Sequence, residues 1–239
     1  MIKLQNPLVR ILNQIERTFY ADVDVIMVYS NFVKYVFKKF LDLECIAIPP
    51  PIDTNLYKPL KKDPRLILSV TRFHPDKELH IMAKWFTKHV KGDVRYIIAG
   101  RVLDRYYWYY QYLKDLARKD KRITIVPNPS EQDLAKLYGH AAIFWYIHQE
   151  HCATTPVEAM SAGAVPIILD RPGLREAILH KETGIIAQNK YEFIKWTYLL
   201  LEDHTLRRHM GVNAREICKL KFSKDAFYRK FRSILESLS

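Results

Sequence analysis

Two glutamates separated by seven residues, Glu150 and Glu158, stand in the stretch IHQEHCATTPVEAMSAG (147–163) with two histidines and a cysteine. The first chemistry such a cluster suggests is a metal. His148-Gln149-Glu150 has the H-x-E shape of a zinc deaminase, but that site also needs P-C-x-x-C, which occurs nowhere in the chain. H-E-x-x-H is absent too, and His148, His151 and Cys152 bring no second ligand cluster. No metal is expected, and the histidines and cysteine read as packing or rim residues. The carboxylates remain. Thr155-Pro156-Val157-Glu158 reads as a capping box, with Thr155 at the N-cap and Glu158 reaching back to a free N–H. The same helix start offers unpaired N–H groups and the positive end of a dipole, a phosphate site in waiting, with the small Ala153 and Thr154 before it. Glu150 precedes the helix and has no capping role. A carboxylate there makes sense where it accepts hydrogen bonds from hydroxyls, as on a sugar.

The elements that must position these groups follow from periodicity. Short β-type runs alternate with amphipathic helical stretches: DVIMVYS (24–30) and then NFVKYVFKKFL, with Ser30 as N-cap. CIAIPPPID follows, stopped by three prolines. A second series runs from RLILSVTRF through VRYIIAG, RITIV, AAIFWYI and AVPIILD to TGIIAQ. Between these lie LHIMAKWFTKHV, YWYYQYLKDLARKD, SEQDLAKLYGH (capping box Ser130 to Asp133), TPVEAMSAG and LREAILH. Residues 190–238 read as helices only. The near-continuous apolar strands predict burial on both faces. The fold class is therefore α/β: a Rossmann-like parallel sheet with helices on both faces and a helical C-terminal segment. Ligands of such sheets bind at the carboxyl ends of the strands, which directs attention to 71–78, 100–105, 126–130, 147–158 and 170–176.

Composition narrows the partners. The 38 Lys and Arg against 26 Asp and Glu leave a formal charge of +12, which favours phosphorylated small molecules, anionic membrane surfaces or polyanions. The basic blocks are scattered rather than gathered into one stripe, so no nucleic-acid partner is expected. Cys45, Cys152 and Cys218 are far apart and form no C-x-x-C, which points to a reducing compartment. No apolar run is long enough for a signal peptide or a membrane span, so the expected location is cytoplasmic, with peripheral membrane association as an option.

Glu150 and Glu158, followed by Ala159-Met160-x-Ala162-Gly163-x-x-Pro166, resemble the E-x7-E signature of retaining GT-B glycosyltransferases, the group that includes sucrose-synthase- and mannosyltransferase-like enzymes. The resemblance extends in order through SNFVKYVF, IPPPIDTNLYKP, LILSVTRFHPDKEL, YIIAGR, ITIVPNPSEQDLAKLYGHAAIFWYI, LDRPGLREAI, TGII and LRRHMGVNAREICKLKFS, over about residues 21–239. It implies that the fold is the C-terminal half of a GT-B enzyme and that the substrate is a UDP- or GDP-sugar, with no cofactor and no metal. It further implies that Arg72 and Lys77 grip the donor pyrophosphate, helped by N–H groups near Thr154 and Thr155. Glu158 would take the ribose hydroxyls, Glu150 the sugar hydroxyls, and the Val126-Pro127-Asn128 turn would lie against the base. Arg72, Lys77 and Glu150 are the implied catalytic residues.

Several positions depart from the pattern. The family glycines flanking the Arg and Lys are Thr71 and Glu78, its Phe-Gly after the first Glu is Cys152-Ala153, and its Asn-Gly is Pro50-Pro51. An acidic Glu78 beside a pyrophosphate is unfavourable unless it faces away. The expected organisation is a remnant of the acceptor-side domain with its linker at 1–59, a nucleotide-sugar-binding domain at 60–221, and a C-terminal helix at 222–239 packing back towards the N-terminal segment. An acceptor domain would then lie outside these residues or on a partner chain. Two other readings stay open: a noncatalytic nucleotide-sugar-binding subunit, and a basic nucleic-acid-binding α/β protein.

Overall fold

The computed structural model describes residues 7–238, with side chains from Asn13 onward. The first six residues of the expected N-terminal segment, and Ser239 of the expected C-terminal helix, lie outside the described residues.

Helix α1 (Pro7–Thr18) leads into a small unit of β1 (Met27–Val28), α2 (Asn31–Leu41) and β2 (Ile46–Ala47), whose two strands pair in parallel. Ser30 caps α2 as its sequence predicts, its hydroxyl accepting from the Val33 N–H at 3.2 Å. The main sheet has six strands, all parallel. In chain order they are β3 (Asp63–Val70), β4 (Arg95–Gly100), β5 (Ile123–Pro127), β6 (Ala141–Tyr146), β7 (Val165–Leu169) and β8 (Ile185–Ala187), arranged β5-β4-β3-β6-β7-β8. The order reverses between β3 and β6, which places the ligand crevice of a doubly wound sheet beyond the carboxyl ends of those two strands.

Burial on both faces explains the uninterrupted apolar strands. In β3, Ile67 points to one side, against α3 (Leu79–His89), α4 (Tyr107–Lys119) and α7 (Lys190–Glu202). Leu66, Leu68 and Val70 point to the other, against α5 (Glu131–His140), α6 (Thr154–Ser161) and α8 (His204–Phe222). The strand period of two thus feeds two cores rather than one core and a solvent face. LREAILH departs from its reading as a helix: 172–176 form turns, because Pro172 and the left-handed Gly173 (φ 82°) interrupt any helical start.

The chain end returns to its beginning. The Ile52 N–H donates to the Phe222 carbonyl at 2.7 Å, and in α9 (Lys224–Glu236) Lys224 pairs with Asp53 at 2.5 Å while Lys230 donates to the Ala47 carbonyl at 2.6 Å. Glu176, from the turn after β7, accepts the N–H groups of Asn31 and Phe32 at 2.8 and 2.6 Å and so completes the N-terminus of α2. Among the described residues no helix is long and apolar enough to cross a membrane, and Cys45, Cys152 and Cys218 are free thiols.

Candidate functional site

Strand β3 ends at Val70 and delivers Thr71 and Arg72 to the sheet's carboxyl edge. The place is held by a close approach: a Cβ on Gly100 would stand 1.7 Å from the Thr71 carbonyl oxygen. Gly100→Ala must therefore push the Thr71-Arg72 corner aside, at an expected cost of about 3 kcal/mol, read as a lowered urea midpoint. Arg72 is exposed, in no ion pair among the described residues, and borders two adjoining cavities of about 340 and 450 Å³.

A short 3-10 turn, Pro75–Lys77, then buries the Lys77 stem and brings its ammonium to Glu150, Nζ to Oε1 at 2.7 Å. Glu150 lies four residues beyond the end of β6, past a bend at His148. Tyr146, His148 and Glu150 are alternate residues, as the strand period requires if they are to share a face. Tyr146 donates its hydroxyl to Glu150 Oε1 at 3.1 Å, and His148 donates from Nε2 to the same oxygen at 2.8 Å. Burial alone raises the Glu150 carboxyl, but the His148 and Lys77 hydrogen bonds and their charges overcome it and hold the group down at about 2. Glu150 is thus a fixed anion whose Oε1 is saturated, and no hydrogen bond among the described residues falls on Oε2. The expectation of His148 as a packing or rim residue needs correction, since the ring is buried but serves as a donor to Glu150. Its H-x-E spacing brings the imidazole into hydrogen-bond contact with the carboxylate. Among the described residues, no group of three or more His, Cys, Asp or Glu is placed to hold a metal ion.

The loop from Glu150 to Ala153 is pinned from two sides. Ser30 donates its hydroxyl to the His151 carbonyl at 2.5 Å. Gly173 lies so close that a Cβ would come within 2.1 Å of the Glu150 carbonyl oxygen. Helix α6 then starts at Thr154, with Ala153 as its N-cap and no side-chain cap. The expected capping box is absent. Thr155 sits inside the first turn with its hydroxyl buried and without a hydrogen-bond partner, and Glu158 turns away from the helix start to accept the Tyr138 hydroxyl at 2.7 Å. Helix formation two residues earlier than expected leaves the N–H groups of Thr154 and Thr155 without intrahelical acceptors. Those residues, with Tyr29, Thr71, Arg72, Tyr146, Glu150, His151 and Cys152, line the smaller cavity.

Thr154 and Glu158, four residues apart on α6, share a face. Burial raises the Glu158 carboxyl, the Tyr138 hydrogen bond lowers it, Glu131 raises it, and the result is about 7. One carboxylate of the pair is therefore ionised throughout the ordinary pH range, and the other titrates near neutrality. Glu78, the departure most at odds with an anion, has a left-handed backbone (φ 54°) where the resembling sequences have glycine.

Of the base-side residues, Asn128 lines the larger cavity together with Arg101. Its side-chain oxygen accepts the Val102 N–H at 2.8 Å and its own N–H donates to the Gly100 carbonyl at 2.8 Å, so it shapes the loop. Val126 packs against the core and Pro127 is exposed at the end of β5. Arg72, Glu150, Thr154 and Thr155 line the smaller cavity, Lys77 joins them only through its ion pair with Glu150, and Asn128 belongs to the neighbouring cavity. Sequence reasoning missed Tyr146, His148, Tyr138 and Arg101. The first two carried a signal, their alternation with Glu150 in the sequence. Tyr138, on a different helix from Glu158, carried none.

Comparison with known proteins decides the family. The sequence pattern described as "Glycosyl transferases group 1" matches residues 54–217. The chain belongs to this family. It is 24% identical over 208 residues to the alpha-1,3/1,6-mannosyltransferase ALG2 of Dictyostelium discoideum, covering 79% of this chain and 50% of that protein. It is 27% identical over 232 residues to a probable sucrose-phosphate synthase of Thermosipho melanesiensis, covering 83% of this chain and 54% of the relative. The chain thus spans about half the length of the curated relatives it matches. Among solved structures, Anabaena Alr3699/HepE in complex with UDP superposes with a TM-score of 0.85 at 17% identity, covering 95% of this chain and 68% of that one. The sucrose-phosphate synthase of Thermosynechococcus elongatus superposes at 0.82 and 19%, covering 95% and 61%. The parallel six-strand sheet is the arrangement of a GT-B glycosyltransferase C-terminal domain. The glycosyltransferase family pattern spans all six strands of the main sheet, β3 to β8, and includes Arg72, Lys77, Glu150 and Glu158.

Proposed function

We propose that this chain carries the donor site of a retaining, metal-independent glycosyltransferase that uses a UDP- or GDP-sugar. The observation that supports it is the gathering of Arg72, Glu150 and the free N–H groups of Thr154 and Thr155 around one cavity at the switch point of the sheet, with Lys77 ion-paired to Glu150. An ammonium has three donors and Glu150 uses one, so Lys77 can bind a phosphate oxygen without leaving its carboxylate. Arg72, Lys77 and the α6 N-terminus take up the charge that grows on the departing diphosphate, the role a divalent ion fills elsewhere. Glu150 offers Oε2 to sugar hydroxyls, and Glu158 offers its carboxylate to the ribose. The base lies towards Val126, Pro127 and Asn128. The solved Anabaena relative holds UDP, and UDP-glucose in another crystal. Retention at the anomeric carbon rests on the E-x7-E resemblance.

In this reading residues 1–59 belong to the acceptor side, 60–221 bind the donor and 222–239 tie the two together. The acceptor domain lies outside these residues or on a partner chain. A second reading is a nucleotide-sugar-binding subunit without turnover of its own. Titration calorimetry with UDP, GDP and their sugars, in the presence of chelator, tests both. Saturable binding that Arg72→Ala weakens about 10- to 100-fold is the expected result. Absence of saturable binding to any of them sinks the donor site. Binding without hydrolysis or transfer, rescued by an added acceptor domain, selects the second reading.

A further inference from the structure

At the opposite end of the sheet, by the amino ends of the strands, lies a second cavity of about 590 Å³. It is bounded by the residues leading into β3, by the Gly163 turn ahead of β7, and by one face of α8. Its wall carries Lys62, Arg207, Arg208, Arg215 and Lys219, and a single carboxylate, Glu216. Arg208, Arg215 and Lys219 recur at seven- and four-residue steps along α8, which puts their charges on one stripe, with Arg207 beside it. Pro59, Pro64 and Val212 make the rest of the wall apolar.

The charges are unbalanced. None of the five cations forms an ion pair among the described residues. Lys62 donates to the Tyr138 carbonyl at 3.1 Å, Arg215 to the carbonyls of Ser161 and, at 3.3 Å, Tyr57, and Arg207 to those of Leu200 and, at 3.3 Å, Leu201. These acceptors are neutral, so they orient the cations without cancelling them. Arg208 and Lys219 are exposed, as on any basic surface, but Lys62, Arg207 and Arg215 are not. Burial pulls the Lys62 ammonium down to about 7, with Arg215 adding to it, and burial also lowers Arg207 and Arg215. Cations crowded and partly desolvated in this way are unfavourable alone and favourable around a multiply charged anion.

We propose that this cavity binds a phosphate group, held by Lys62, Arg208, Arg215 and Lys219, at a site separate from the donor cleft. The apolar wall leaves room for a non-polar body attached to the phosphate, so the group can arrive as a soluble phosphate or as a phospholipid headgroup. The site does not depend on the donor reading, because it shares no residue with the donor cavities.

The test uses the full chain carrying Arg72→Ala, which weakens the donor cleft, and inorganic pyrophosphate as probe. Calorimetry is expected to show saturable binding that chloride at equal ionic strength does not reproduce. Lys62→Met and, separately, Arg208→Ser should each weaken it about tenfold or more. Because Arg208 is exposed, its variant keeps the experiment decisive even where Lys62→Met folds poorly. A second arm sediments the protein with phosphatidylcholine vesicles, with and without phosphatidic acid. Binding to the acidic vesicles that Arg208→Ser abolishes assigns the site to a lipid headgroup, and pyrophosphate binding without vesicle binding assigns it to a soluble phosphate. Loss of all pyrophosphate binding on Arg72→Ala alone, or binding by both Lys62→Met and Arg208→Ser equal to that of the parent, overturns the proposal.

Discussion

Replacing Glu150 by Gln is expected to cut sugar transfer by about 100-fold while changing the affinity for the bare nucleoside diphosphate by less than about threefold. The carboxylate sits at about 2, so it is ionised at every working pH and acts as a fixed acceptor rather than as a proton shuttle. The amide removes the charge that faces the sugar and leaves the phosphate contacts in place. It also strands Lys77, whose side chain is only 6% exposed and whose ammonium lies 2.7 Å from the lost oxygen. Unpairing a buried cation costs about 3 kcal/mol, so Glu150→Gln should also lower stability. Lys77→Met in the same chain should restore part of it, a coupling that a double-mutant cycle reads directly. The acid side follows from the same shift. The folded carboxyl is depressed below its ordinary 4.5, so its contribution is present above that pH and is lost as pH falls through about 2. If Glu150→Gln transfers sugar like the parent, the role assigned to Glu150 is wrong.

Glu158→Gln is expected to behave in the opposite way, gaining stability and losing nucleotide. The Glu158 carboxyl is raised from 4.5 to about 7, so the folded state holds a proton that the unfolded state has released. Stability therefore falls as pH rises from about 4.5 through 7, and above that the ionised group costs about 2 kcal/mol after allowance for its residual exposure. A glutamine has no such charge, so denaturation midpoints of the variant should exceed the parent's at pH above 7 and converge with them in acid. Binding runs the other way. In the proposed donor site ribose hydroxyls donate to the ionised carboxylate, so affinity for a UDP- or GDP-sugar should rise with pH through about 7 in the parent. In Glu158→Gln it should be flat and about 10-fold weaker at pH 8. A sugar nucleotide is the right probe, because its diphosphate has no ionisation of its own near neutrality. Weaker stability with unchanged nucleotide affinity would return Glu158 to a purely structural role. That role cannot be the capping one read from Thr155-Pro156-Val157-Glu158, because the helix starts two residues earlier and the side chain faces Tyr138.

The sequence by itself determined the strand and helix order, because period-two runs such as Leu66 to Val70 and helical stripes such as Leu79, Met82 and Phe86 are local patterns that burial on either side of a parallel sheet enforces. It also identified Glu150 and Glu158 as the residues to examine, and, through the resemblance to E-x7-E glycosyltransferases, Arg72 and Lys77. What those residues are to one another was decided only by the tertiary structure. Lys77 and Glu150 lie 73 positions apart and meet as an ion pair; Glu158 meets Tyr138 on another helix. Two carboxylates of one helix entrance differ by about five in pKa, about 2 against about 7. No local rule separates them, because the difference comes from three donors converging on Glu150 and one on Glu158, and from how much water each has lost. The charge excess was equally visible in composition. Its concentration into a cavity walled by Lys62 and α8 required the chain to bring residue 62 to residue 215, and only the folded sheet does that.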